Sequence, residues 1–171
     1  EDAERVRQRG TAAHNTVVVD GQNSSEVWSG FRVARRAWPF DFFADILNDP
    51  LTLRCSHDGY RRLRGNVVHT RQWQLTEGAL CVTDTLIGQW QQAFASLHLH
   101  PQVALLAADT QSCTLEVAGK NVTLTVQGAT LQVLDGSYHP GFALSEKCVS
   151  LRLMMRGGSL VTRVEWGMAA V

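Results

Sequence analysis

Apolar and polar residues alternate along much of the chain. In residues 113–117 every second side chain is apolar, and after a polar stretch at 118–121 the alternation resumes over 122–126. A period of two is typical of a strand with one buried face. Gly119 and Asn121 tolerate the backbone angles of a tight turn. The pattern therefore predicts a β-hairpin over 113–126.

The same rhythm recurs on both sides of this hairpin. It predicts two more hairpins, 67–75 with 80–87 and 151–155 with 160–166, and a strand over 130–134. Other strand candidates are 14–20, 26–36, 51–57, 94–100 and 103–108. One segment, 41–47, looks helical and is bracketed by Pro39 and Pro50. Many short strands with regular turns indicate an all-β fold, an antiparallel β-sandwich of two stacked sheets.

Length and charge narrow the possible classes of protein. The 171 residues are enough for one full core, so we expect a single domain over 1–171. A net charge of zero gives no electrostatic case for nucleic acid or an anionic membrane. No apolar stretch approaches the roughly 20 residues that cross a bilayer. The chain opens with Glu1 rather than Met and shows no signal peptide, so we expect an internal or processed piece.

The basic residues are almost all arginine, since Lys120 and Lys147 are the only lysines. Arginine offers paired donors that match carboxylate and sulfate oxygens, although solvated surface arginines would give the same count. The four cysteines, Cys55, Cys81, Cys113 and Cys148, form no closely spaced pair. A zinc ribbon is therefore disfavoured, and spacing alone assigns no disulfide.

Several segments resemble, in order, the heparinase II/III-like family. They are Thr11-Ala12-Ala13-His14-Asn15-Thr16-Val17-Val18-Val19-Asp20-Gly21, the stretch 22–37 with Glu26 and Trp28, His57-Asp58-Gly59-Tyr60-Arg61-Arg62-Leu63, Val67-Val68-His69-Thr70-Arg71, Leu97-His98-Leu99-His100-Pro101, and Val161-Thr162-Arg163-Val164-Glu165-Trp166. These segments span nearly the whole chain.

The resemblance implies a carboxy-terminal β-sandwich, cut from a larger protein that also has an amino-terminal α/α toroid. Members of this largely bacterial family act on acidic polysaccharides by β-elimination, so the whole protein is expected to be a periplasmic or secreted lyase. Because the family's toroid residues lie outside this chain, the piece itself is expected to be inactive. The alternative is a non-catalytic carbohydrate-binding or structural module in polysaccharide export or assembly.

The resemblance also implies a metal site. In several members a zinc ion is bound by two upstream ligands and by a histidine that matches His14. Zinc is thus possible in the longer protein, and none is expected in this piece, because such sites need three or four protein ligands. The other reading of His14 is a hydrogen-bonded histidine without metal.

For each of the other polar residues, a functional and a structural interpretation remain open. Asn15 can contact substrate or hold the start of a strand. His57 and Tyr60 can serve as general acid or base, or belong to a loop that turns at Asp58-Gly59. Arg61 and Arg62 can bind substrate carboxylates, or form a solvated edge that resists strand pairing. His98 and His100 share one strand face, but the sequence shows no third metal ligand for them.

Overall fold

The computed structural model describes residues 3–29, 32–141 and 143–167. It begins with a short helix, α1 (Ala3–Arg9), and a 3-10 turn (Thr11–Ala13). Fourteen strands follow within these described ranges. They are β1 (Val17–Val19), β2 (Val27–Trp28), β3 (Arg32–Val33), β4 (Pro39–Asp45), β5 (Leu51–His57), β6 (Val68–Leu75), β7 (Ala79–Ile87), β8 (Ala93–His98), β9 (Ala104–Ala108), β10 (Ser112–Val117), β11 (Lys120–Gln127), β12 (Ala129–Tyr138), β13 (Glu146–Met155) and β14 (Ser159–Trp166).

Two antiparallel sheets of unequal size form the sandwich. The smaller has the order β1-β8-β13-β12, and the larger has the order β4-β5-β6-β7-β14-β11-β10-β9. A separate two-stranded ribbon joins β2 to β3. The predicted antiparallel β-sandwich is confirmed.

The core lies between the sheets and is built from the alternating apolar positions. Its largest fully buried side chains come from both sheets and from the loop after β5. They are Tyr60, Leu151, Leu153, Leu160, Val17, Val19 and Val67, together with the charged Asp84. An aspartate among these residues needs strong partners, because an unpaired buried charge is costly.

Two of the passages between the sheets contain glycines. Gly128 lies between β11 and β12 with a φ of +80°, and a side chain there would begin 2.2 Å from the Ser159 carbonyl oxygen. Gly158 lies between β13 and β14, and its carbonyl accepts a hydrogen bond from the Leu86 amide. Both glycines therefore contact strands of the larger sheet, and neither connection closes a hairpin.

Two predicted hairpins are confirmed and the third is wrong. β10 pairs with β11, and β6 pairs with β7. β13 and β14, however, lie in different sheets, because the predicted Gly157-Gly158 turn is one of the passages just described. The strand predicted over 130–134 continues to Tyr138 as β12.

The helix predicted over 41–47 is also wrong. Residues 39–45 form β4, which pairs with β5 at the edge of the larger sheet. Its aromatic residues fit a pleated strand, and pairing outweighs the weak local preference. The α-helix α1 was missed because it has no buried face and carries a surface pair between Glu4 and Arg7. No helix in the described ranges is long and apolar enough to cross a membrane.

Candidate functional site

The segment that holds His14 and Asn15 links the two sheets. His14 ends the 3-10 turn, where its amide donates to the Thr11 carbonyl at 3.1 Å, and its side chain is exposed. The Asn15 side-chain oxygen accepts a hydrogen bond from the His98 amide at 2.8 Å. The Asn15 carbonyl accepts one from Arg71 Nη1 at 2.6 Å. Asn15 is thus bonded to β8 in one sheet and to β6 in the other.

Arg71 is itself held by a buried carboxylate. Arg71 and Asp84 face each other across β6 and β7, and Arg71 donates from Nε to Asp84 Oδ1 at 2.7 Å and from Nη2 to Oδ2 at 3.0 Å. Asp84 is 1% exposed. Burial raises the pKa of Asp84, but the hydrogen bonds from His69 and Arg71 outweigh it and hold that pKa below its ordinary value. Asp84 therefore stays ionised beside the guanidinium.

Two histidines extend this buried pair into a chain of hydrogen bonds. His69 Nε2 lies 2.6 Å from Asp84 Oδ1, and His69 Nδ1 lies 3.0 Å from His57 Nε2. The Gly59 amide donates to His57 Nδ1 at 3.2 Å. An amide can only donate, so His57 Nδ1 is the acceptor and its proton sits on Nε2.

That assignment fixes the direction of every bond in the chain. His57 donates to His69, and His69 donates through Nε2 to Asp84, so both rings are neutral. Burial is the main reason why the pKa of His57 is lowered to about 4. The loop after β5 is thereby connected through Asp84 and Arg71 to the backbone of Asn15.

Tyr60 lies in the core rather than in a cleft. Its side chain is 0% exposed, and its hydroxyl donates to the Val17 carbonyl at 2.7 Å. Burial raises the pKa of Tyr60 above its ordinary value, so the hydroxyl remains protonated and able to donate. The bond joins the loop after β5 to the first strand.

Replacing Tyr60 with phenylalanine should lower the free energy of unfolding by about 1–2 kcal/mol, because the Val17 carbonyl would lose a buried donor. Urea unfolding measures this change. Tyr138→Phe is the matched control, since the Tyr138 hydroxyl has no hydrogen bond within the described residues. Equal effects of the two substitutions would contradict the assigned bond.

The two arginines that follow Tyr60 occupy different surroundings. Arg62 donates to the carbonyls of Gly59, Asn23 and Ser24 and lies 3.5 Å from Glu26. Its donors are therefore used within the protein. Arg61 is exposed and lies over the Phe40 ring, with Cζ 4.7 Å from the ring centroid.

The other histidine pair does not converge. His98 Nε2 lies 3.0 Å from the Ala12 carbonyl oxygen and Nδ1 lies 3.2 Å from Ser150 Oγ. His100 lies beyond the end of β8 and packs its ring against Tyr138 at 4.8 Å. In residues 3–29, 32–141 and 143–167, no three His, Cys, Asp or Glu side chains are grouped so as to hold a metal. His14 alone does not make a zinc site.

Sequence reasoning named His14, Asn15 and His57 but gave no role to His69, Arg71 or Asp84. The strand register of the predicted hairpin, 67–75 with 80–87, could have identified Arg71 and Asp84 as a pair. A turn that pairs Leu75 with Leu80 necessarily places Arg71 opposite Asp84. Opposite charges that lie across from each other on the inner face of a sheet indicate a buried ion pair. The four cysteines are free thiols.

A cavity lies elsewhere in the described part of the chain. It has a volume of about 710 Å³ and lies beside α1, and Gln8, His139 and Leu144 are among its lining residues. None of His14, Asn15 or Arg71 lines it. This cavity is therefore separate from the segment that holds His14 and Asn15.

The fold and the site define an antiparallel β-sandwich with an exposed histidine on a braced segment between its two sheets. Residues 2–167 match the model of the heparinase II/III-like, C-terminal family, and the chain belongs to that family. A sequence comparison with curated proteins gave no match.

Solved structures with this fold have little sequence in common with the chain. A heparan sulfate lyase, HepC from Pedobacter heparinus, superposes with a TM-score of 0.74 at 17% identity, over 99% of this chain and 27% of that one. A protein described as heparinase III, the BT4657 gene product, gives 0.73 at 15% identity, over 96% and 25%. The chain thus spans about a quarter of the length of the structures it matches.

Proposed function

We propose that this chain is the β-sandwich part of a longer polysaccharide lyase that cleaves a uronate-containing polymer by β-elimination. Membership of the heparinase II/III-like family over residues 2–167 is the observation that carries the proposal. The matched structures are described as a heparinase and a heparan sulfate lyase. The other supporting observation is the exposed His14 on a segment bonded to both sheets.

The chemistry explains why a sandwich would need a partner domain. β-Elimination requires a base that removes the proton next to the uronate carboxylate and an acid that protonates the leaving oxygen. It also requires positive groups or donors near the carboxylate. Among the described residues, His69, Asp84 and Tyr60 are buried and used in internal hydrogen bonds. We therefore assign this domain to one wall of the cleft, with His14 as the group that faces the substrate side.

Zinc remains part of the proposal for the longer protein only. His14 would supply one ligand, and the described residues contain no group of three His, Cys, Asp or Glu side chains that would complete the site. Metal analysis of the longer protein, with and without His14→Ala, tests this. A zinc content unchanged by the substitution would remove His14 from the ligand set.

The lyase proposal is tested on the longer protein with a panel of uronate polymers. We expect a rise in the absorbance of the unsaturated uronate on at least one of them. His14→Ala should lower this rate at least about tenfold if His14 orients a reacting group or a metal. His100→Ala is the matched control, because His100 is exposed and forms none of the bonds at this site.

Two results would overturn the proposal in different ways. No rise on any uronate polymer would reject the lyase and favour the non-catalytic module. A rise that His14→Ala leaves unchanged would keep the reaction but remove His14 from it.

A further inference from the structure

Two arginines lie over phenylalanine rings at the β4 edge of the larger sheet. Arg54 Cζ is 5.6 Å from the Phe43 ring centroid, and Arg61 Cζ is 4.7 Å from the Phe40 ring centroid. Phe43 pairs with Arg54 and Phe40 pairs with Ser56, with a bulge between the two phenylalanines. The bulge keeps both rings on one face of the sheet, because Arg54 and Ser56 are two residues apart. We call Phe40, Phe43, Arg54 and Arg61 the arginine–phenylalanine surface.

This surface lies on the outer face of the sheet. Arg71 and Asp84 point inward with Cys55 beside them in register, and Arg54, the next residue along β5, points the opposite way. Phe43 is 47% exposed, and both Arg54 and Arg61 are exposed. The surface is therefore separated from the buried chain of hydrogen bonds by the thickness of the sheet.

The guanidinium groups of Arg54 and Arg61 form no ion pair with a carboxylate of the described residues. Two exposed arginines elsewhere have acid partners: Arg35 pairs with Glu26, and Arg163 pairs with Glu165. Within the described ranges neither Arg54 nor Arg61 has such an ion pair. A guanidinium that lies on a ring is preorganised while its N–H groups remain available to an oxygen ligand.

The neighbouring side chains add donors and acceptors to the same flat face. Gln72 lies opposite Arg54 on β6, and Thr83 lies opposite Gln72 on β7. Thr70 and Thr85 form the adjacent row. Amide and hydroxyl groups of this kind match the hydroxyls of a sugar chain, while the phenylalanine rings match the apolar faces of sugar rings.

We propose that the arginine–phenylalanine surface binds an acidic polysaccharide through the carboxylate or sulfate oxygens that the two guanidinium groups can reach. The choice of a polysaccharide rests on the proposed function, while the anionic character of the ligand follows from the unpaired arginines. The surface acts as a binding site apart from the cleft with His14 and holds the polymer without cleaving it.

Calorimetric titration of the chain tests the proposal with three probes at low ionic strength. Alginate oligosaccharides carry carboxylates only, heparin oligosaccharides carry carboxylates and sulfates, and dextran is neutral. We expect binding to at least one acidic probe and none to dextran, with affinity falling as salt is added. Stronger binding of heparin than of alginate identifies sulfate as the main ligand group, and equal binding identifies carboxylate.

Substitutions locate the site. The double change Arg54→Gln with Arg61→Gln should weaken binding of the acidic probe about tenfold or more, because two charge-assisted contacts are lost. Arg54→Lys with Arg61→Lys keeps the charge but loses the paired donors and the ring stacking, so it should also weaken binding, by a smaller factor. Arg163→Gln is the control: it removes an exposed arginine from the same outer face, three strands away from Arg54.

Three results would overturn the proposal: no binding of either acidic probe, unchanged binding by the double glutamine variant, or equal weakening by Arg163→Gln. The urea midpoint of each variant verifies that it is folded. Elimination of short uronate oligosaccharides by the longer protein is measured separately. Binding without elimination would reject the lyase and keep the surface, and elimination without binding at Arg54 and Arg61 would do the reverse.

Discussion

Replacing Asp84 with asparagine should lower the free energy of unfolding by about 3–5 kcal/mol, the usual cost of leaving one partner of a buried ion pair alone. The substitution removes the acceptor of Arg71 and of His69 together, and the new amide group presents a donor to donors. Urea unfolding gives the number. Asp135→Asn is the matched control, since Asp135 is an exposed aspartate in β12 and should change stability by less than about 0.5 kcal/mol.

A double substitution distinguishes the stability cost of losing the ion pair from the cost of leaving one buried charge unpaired. Arg71→Leu combined with Asp84→Asn should cost less than the sum of the two single changes, because no isolated guanidinium remains.

The amides of Asn15 and Thr16 should exchange faster with solvent in Arg71→Leu, since Arg71 holds the Asn15 carbonyl. A loss below about 1 kcal/mol for Asp84→Asn would show that the pair does not brace the sandwich.

Acidification should destabilise the protein by about 3 kcal/mol between pH 6.5 and pH 4 through His57. The folded state holds the pKa of His57 at about 4, against 6.5 for the unfolded chain, so the unfolded state binds more protons in this window. A depressed histidine pKa therefore gives stability that is complete above pH 6.5 and is lost as the pH falls towards 4. Unfolding free energies measured across this range give the slope.

His57→Gln should flatten that slope. The glutamine amide can still donate to His69, but it does not titrate. His100→Gln is the matched control, because His100 is exposed and its loss should leave the slope unchanged. Nitrogen chemical shifts should show the His57 proton on Nε2 at neutral pH. Identical slopes in the wild-type chain and in His57→Gln would contradict the assigned hydrogen-bond chain.

The alternation of side chains predicted the fold class because burial of one strand face has a local period. It predicted the hairpins at 118–119 and 76–78 for the same reason, since their turns are short and their partners are adjacent. It could not distinguish the hairpin turn at Gly119 from the passage between sheets at Gly158. Both are glycine-rich, and the difference lies in the distant strand β7, whose Leu86 amide donates a hydrogen bond to the Gly158 carbonyl.

The residues of the candidate site also differ in whether the sequence alone could identify them. His14 and His57 stand in short motifs that carry a resemblance, so the sequence alone singled them out. Asp84 stands in an ordinary alternating strand, between Thr83 and Thr85, and only its cross-strand partner reveals its role. The difference between Arg61 and Arg62 was equally hidden, because the distant carbonyls of Asn23 and Ser24 accept hydrogen bonds from Arg62.

The position of β14 has a consequence for how the protein is made. β14 joins β7 to β11 and is the only link between the two halves of the larger sheet, within the described residues. During synthesis β4–β7 and β9–β11 emerge first and must wait, with their inner edges unpaired, until Ser159–Trp166 leaves the ribosome. Newly made chains that stop before residue 159 should therefore be captured by chaperones or aggregate through those edges.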